Sequence, residues 1–491
     1  MYMLSNRRVH RITITSLYDK AMKHTIICIL LILLLNSISY GTISSATVWD
    51  VRPTTGSNLN GACFDSTIAN AGTDYSQQAT AQLSLSDMAT TGVTTTVTSV
   101  TGGFTSAMIG NCLRIDSGTN WTLGWYQITA RTDTNTITVD RAPTSAAGVS
   151  GTGKVGGSTK SINGQATTTL NTSTAMQAGN TIYVKNEAWN EAVVLSGAGT
   201  LILPRILEGY NTTHGDAPTG SNRPRNNRAA AGTQALNISG AYWQFKHLWI
   251  SNAGTRGFDN STTSGSLLVN VRSSTNATIG FNIGGQTSLV NCEADTNTQT
   301  GVTITATPAL VYASYIHGNT TNGIDSGGFA PTIIGNIITA NAANGINNPG
   351  SYTIIIGNTI NGNTGATTDG IGNGNSNTTG GTVVMNNILS NNGRDGARWG
   401  ASAAAAWFDY NDYYLNAGVP RTSVPTGASD VTTNPTFTNS GSGDFSIGTP
   451  LRNLGFPGTF PASTSIGHMD IGAVQSGQGA ITQGACHRTV Q

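Results

Sequence analysis

Arg272, Glu293, Asp295, Tyr315 and His317 are the residues best suited to chemistry in a chain where only 10% of residues are charged and 7% aromatic. Glu293 follows Arg272 by 21 residues, and Tyr315 and His317 follow Glu293 and Asp295 by 22. If that interval is one structural repeat, all five share a face. Glu293 and Asp295 would then offer carboxylate oxygens to a hard cation such as Ca²⁺. The cation would neutralise a uronate carboxylate and acidify the neighbouring C–H. A base must take that proton, and Arg272, Tyr315 and His317 are the catalytic candidates. Trp249, one repeat before Arg272, offers a ring to a sugar. Arg394 and Arg398, near Asp395, Trp399 and Trp407, form a further substrate-binding candidate by charge and stacking. Arg223, Arg225 and Arg228 make a basic patch within a polar loop from Asn211 to Thr233. Each cluster also has a plainer reading, because cross-strand ion pairs often serve only to stabilise a sheet face.

The interval is real over a long stretch. Gly257-Phe258, Gly280-Phe281, Gly301-Val302, Gly323-Ile324 and Gly345-Ile346 are separated by 23, 21, 22 and 22 residues, and Gly370-Ile371 and Gly396-Ala397 continue at longer steps. A unit this short cannot bury a core alone, so copies must stack as a solenoid. Residues at equal offsets from the glycine then lie about 4.8 Å apart, with side chains alternating in and out. Nine before the glycine stand Leu248, Val271, Cys292, Ser314 and Asn336, and seven before stand Ile250, Ser273, Ala294, Ile316 and Ile338. These small or apolar residues should face the core, with Asn336 the start of an internal amide ladder. The intervening offsets hold Trp249, Arg272, Glu293, Tyr315 and Ile337, then Ser251, Ser274, Asp295, His317 and Thr339, and should face solvent. A column two after the glycine (Asp259, Asn282, Thr303, Asp325, Asn347) reads as a solvated polar ladder.

The rest of the chain is organised around that solenoid. Its fold class is all-β: short Ile, Val and Leu runs alternate with Gly, Asn, Thr and Ser turns, while Glu and Lys are scarce. The net charge is +1 and Lys is absent after Lys246, which excludes the clustered basic surface that nucleic-acid binding needs. Lys23 and His24 precede an apolar run from Ile26 to Leu35, too short to span a bilayer and shaped like a secretory signal, with cleavage expected at Ser44-Ser45-Ala46 or, as a second choice, at Gly41. The expected layout is therefore a signal region at 1–46, a small N-terminal β module and cap at 47–155, a parallel β-helix at 156–420, a C-terminal region at 421–475 and a tail at 476–491. The Gly/Ser-rich stretch 148–157 reads as the link after the module. Export permits disulfides, and Cys63–Cys112 is one pairing open within the module. Cys292 reads as a core residue, and no cysteine spacing suggests zinc.

The Gly-Ile steps and Asn-rich strand ends, such as Gly335-Asn336-Ile337-Ile338 and Gly357-Asn358-Thr359-Ile360, resemble the right-handed parallel β-helix of the pectate-lyase-like superfamily. The ending, with Asp444-Phe445-Ser446, Pro450-Leu451 and Asp470-Ile471-Gly472-Ala473, is similar to a choice-of-anchor Q region. The resemblance implies a secreted or cell-surface protein acting on polysaccharide, with lyases that use Ca²⁺ and Arg or Lys among its members. It also covers hydrolases, adhesins and phage fibres, and no lyase motif transfers residue by residue. Two functions stay open: a polysaccharide lyase, and a non-catalytic adhesin or fibre. A groove lined by Arg272, Glu293 and Asp295 favours the first, and a flat wall with exposed hydrophobic stripes suited to trimers favours the second.

Overall fold

The computed structural model describes residues 43–163, 170, 176–306, 308–374, 380–400, 406–457 and 468–476. The expected signal run Ile26–Leu35, Cys486 and most of the tail lie outside these residues. Among them, short strands stack into three parallel walls of a right-handed β-helix, with no α-helix. One coil places Trp243–Lys246 on the first wall, Trp249–Ser251 on the second and Phe258–Asn260 on the third. The next coil repeats the path with Leu267–Val269, Arg272–Ser274 and Phe281–Ile283, each strand pairing in parallel with the one before it. The first wall has twelve strands, the third ten and the second nine.

The 22-residue pattern becomes this structure through simple packing. Phe258, Phe281, Val302, Ile324, Ile346 and Ile371, each following a repeat glycine, are fully buried on the third wall. Each such side chain contributes about 1.5–3 kcal/mol of burial, and only their stacking makes the coils stable. The glycine itself is needed for space. A Cβ on Gly280 would stand 2.6 Å from the Gly301 carbonyl oxygen and 2.7 Å from Asn297 Nδ2. All ten expected inward residues from Leu248 to Ile338 are buried. Cys292 is among them, and burial pushes its thiol up to about 12.

Two asparagine ladders run inside the turns flanking the second wall. Asn336, Asn358, Asn387 and Asn411 pass a side-chain N–H to the next Oδ1 at 2.9–3.0 Å. A longer ladder climbs from Asn276 through Asn297, Asn319, Asn341, Asn363 and Asn392 to Asn416. Each side-chain oxygen also accepts the backbone N–H of the preceding member, so buried donors are satisfied coil by coil.

At the N-terminal end, Val48–Val51 pairs in parallel with Thr181–Lys185 as the first parallel rung of the first wall, and Cys63–Phe64 pairs antiparallel on its outer edge. Between these two strands the chain makes a closed six-stranded barrel of Leu83–Ala89, Thr96–Ser99, Cys112–Trp121, Gly124–Asp133, Thr136–Val139 and Thr144–Val155. The stretch read as a Gly/Ser link is the last barrel strand. Its glycines admit the Trp121 ring against the backbone, where a Cβ on Gly151 would come within 2.5 Å of that ring. Barrel and solenoid meet at Trp125 and Trp49, edge to face at 5.5 Å, and a Cys63–Cys112 disulfide joins them.

The C-terminal region folds back over the outside of the second wall. Phe445, Ala473 and Val474 pack with Ile337 and against Tyr315. Ile447, Leu451 and Ile471 pack with Ile388. The Ala473 N–H donates to Thr359 Oγ1 at 3.1 Å. That cover buries the later outward column of this wall, where Ile337, Thr359 and Ile388 follow one another in register.

Candidate functional site

The register brings the five candidate residues together on the outer face of the second wall. Arg272 stands beside Glu293 and Glu293 beside Tyr315, while Ser274, Asp295 and His317 form the adjacent column. The expectation that these columns face open solvent needs correction. Glu293 and Asp295 are buried, and Arg272, Tyr315 and His317 are partly covered. The cover comes from the C-terminal region at Tyr315 and from Arg223 at Glu293.

The geometry is an ion-paired network. Arg272 grips Asp295 with two parallel bonds, Nε to Oδ1 at 2.9 Å and Nη2 to Oδ2 at 2.8 Å. Its Nε also lies 3.6 Å from Glu293 Oε2. His317 Nε2 lies 3.4 Å from Glu293 Oε1, and its ring stacks on Tyr315 at 4.0 Å. Burial pushes the Glu293 carboxyl up. The His317 bond and the charges of Arg272, His317 and Arg223 outweigh it and hold this carboxyl below its ordinary range.

Arg223, named only as part of a basic patch, lies in an insertion outside the repeat, so no register places it against Glu293. Its side chain is buried, donates to Asn270 Oδ1 at 2.7 Å and approaches Glu293 at 3.9 Å. The loop carrying it is anchored by His214. That ring stacks on Tyr183 at 3.9 Å and bonds the buried Asp50 at 2.8 Å. Arg225, expected in the same loop, instead begins the strand Arg225–Asn227, the first rung of the second wall. Trp249 lies between the rungs of Arg225 and Arg272, whose guanidinium carbons stand 4.3 and 4.5 Å from its ring centroid. Its faces are thus occupied by cations rather than open to a sugar ring.

Arg394 and Arg398 do not join this site, because they belong to the third wall and the turn before it. Arg394 grips Asp369 with bonds of 2.8 and 2.6 Å, and Arg398 pairs with Asp395 at 2.6 Å. Trp399 is buried against Phe408, and Trp407 is exposed on the first wall. The polar column of the third wall is less solvated than its residue types suggest. Asp259 and Asn282 are buried and hydrogen-bonded to each other at 2.9 Å.

Glu293, Asp295 and His317 each present one ligand atom within 4.8 Å of the others, so a carboxylate–imidazole cluster able to hold a metal exists. It fits calcium poorly. Ca²⁺ takes six to eight oxygens, whereas this set offers two carboxylates and a nitrogen, and Arg272 already engages both oxygens of Asp295.

No family model and no curated protein matches the sequence. Among solved structures, the chain is similar to pectate lyase Pel9A, at 15% identity over 61% of this chain and 88% of that one, with a TM-score of 0.47. It is also similar to the A-module of the Azotobacter vinelandii mannuronan C-5 epimerase AlgE4 (12% identity, 52% and 82% covered, TM-score 0.31). A Paenibacillus alginate lyase gives 10% identity, 52% and 92% coverage and a TM-score of 0.33. These likenesses are faint and concern fold, so the chemistry must be argued from the site.

Proposed function

We propose that the second wall, from Arg225 to His317, receives an acidic polysaccharide and carries out lyase-type β-elimination on a uronate residue. The observation behind this reading is the Glu293–His317 pair: a buried carboxylate orients a partly exposed imidazole beside two guanidinium groups. An imidazole so held can serve as a general base. Arg272, one rung from Glu293, would neutralise the uronate carboxylate, the role otherwise expected of a cation. His317 takes the proton α to that carboxylate, and the electron pair forms the C=C bond. The glycosidic C–O bond breaks and Tyr315 returns a proton to the leaving oxygen. Secretion suits such a substrate, and the Cys63–Cys112 disulfide supports it, because such bridges persist in oxidising compartments.

The test offers purified protein a panel of uronate polysaccharides, with and without Ca²⁺, and follows ultraviolet absorbance of unsaturated products. The reading expects product without added Ca²⁺ and its loss in His317→Ala, with glycan binding retained. Absence of product on every polymer overturns elimination. A second reading, a non-catalytic adhesin, draws support from the saturation of Asp295 by Arg272, which is how a purely structural ion pair would look. Retained binding with no product would favour it.

A further inference from the structure

The outer face of the first wall has a composition unlike the other two. Its first outward column contains Leu267, Leu310, Ile354, Val383 and Trp407 in register, with Ser288 and Thr332 between them. Its second runs through Val269, Val290, Tyr312, Ile334 and Ile356. Ile354 and Trp407 are 36% and 57% exposed, and most of the others are partly exposed. A sheet face left in water normally alternates with polar residues. From Leu267 to Trp407 this one holds no charged residue until Asp409, at its C-terminal end. Lys246, beside Glu208 at 3.4 Å, marks the opposite end.

The flanking corner is also asymmetric. Near the Lys246 end, a groove is lined by Leu201, Pro204, Tyr242 and Leu267. Towards the Asp409 end, the rings of Phe329 and Tyr352 project in contact with each other at 5.0 Å, both more than half exposed.

We infer that two copies of this chain pair antiparallel through this face. A two-fold axis along the strand direction reverses the coil order while keeping each column opposite itself. It sets Lys246 of one copy against Asp409 of the other, and the Tyr242–Leu267 groove against Tyr352 and Trp407. Eight strands at about 4.8 Å spacing, with the corner residues, give on the order of 700 Å² per copy, close to what a stable dimer buries. A single flat face satisfies a two-fold, whereas a three-fold needs two different complementary surfaces on each copy. A polysaccharide does not suit it, since its hydroxyls would meet almost no hydrogen-bonding partners there.

Light scattering and sedimentation equilibrium of the full chain test the inference. Twice the chain mass at micromolar concentration is expected. Ile334→Glu, at the centre of the face, should weaken association at least about tenfold while the circular-dichroism spectrum of the folded chain stays unchanged. Orientation is read by oxidising an equimolar mixture of Val290→Cys and Ile356→Cys chains, three rungs from opposite ends. The mixture should cross-link and neither variant alone should. A monomer at about 100 µM, a trimer, or cross-linking of Val290→Cys alone would each overturn the pairing.

Discussion

Glu293 is the residue on which the network converges, since Arg272, Arg223 and His317 all approach its carboxylate. Its folded carboxyl titrates below the ordinary 4.5. The unfolded chain therefore binds more protons than the native one between those values, and stability rises with pH across that interval. The contribution is complete above about 4.5 and is lost as pH falls through the folded value. Glu293→Gln keeps the shape and removes the charge that faces the buried Arg223 guanidinium, while Arg272 keeps its pair with Asp295. A loss of about 2 kcal/mol at pH 7 is expected, seen as a lower thermal midpoint. The gap between variant and wild type should close in acid below the folded value. A gap that persists unchanged there would show that shape, not charge, is what Glu293 supplies.

At the scale of the coil, stability rests on repeated polar contacts as much as on the apolar stack. Asn341 Oδ1 accepts from both the backbone N–H and the side-chain Nδ2 of Asn319, and its own Nδ2 donates to Asn363 at 3.0 Å. Asn341→Ala takes away the acceptor of two buried Asn319 N–H donors, so urea unfolding should show a loss of about 2 kcal/mol. A change within about 0.5 kcal/mol, the range of an ordinary surface substitution, would mean that water replaces the amide. This ladder also marks how far the sequence could be read. Glycine steps set the register, and the register correctly paired Arg272 with Glu293 and Asp295 with His317. Asn276, Asn297, Asn319 and Asn341 recur at nearly the same 22-residue step and carried the same signal, although they resemble ordinary turn asparagines. Burial was harder to foresee. Alternation tells which side of a strand a residue takes. It is silent on whether residues more than a hundred positions later, such as Phe445 and Val474, will lie over that side. The place of Arg223 beside Glu293 was hidden for a similar reason, because an insertion has no register to index it.

For the molecule as a whole, a solenoid is a stack of units each stabilised by its neighbours, so its ends decide where unfolding starts. The C-terminal region covers the later coils of the second wall, and the barrel covers the first coil through Trp125 against Trp49. Chain connectivity alone holds that barrel weakly, because it is inserted between two adjacent rungs, Val48–Val51 and Thr181–Lys185. The Cys63–Cys112 bridge closes a loop with a sequence separation of 49 and fastens the edge of the first wall to a barrel strand. A loop of that length corresponds to about 4 kcal/mol of lost unfolded-chain entropy. Replacing both cysteines by serine should therefore lower the thermal midpoint and make unfolding begin at this end. Trp49 and Trp125 report it locally: the part of the fluorescence that is lost in Trp49→Phe and Trp125→Phe should change before the circular-dichroism signal of the repeats is lost. If both signals still move together at the wild-type midpoint, the bridge contributes nothing and the tryptophan contact alone holds the cap.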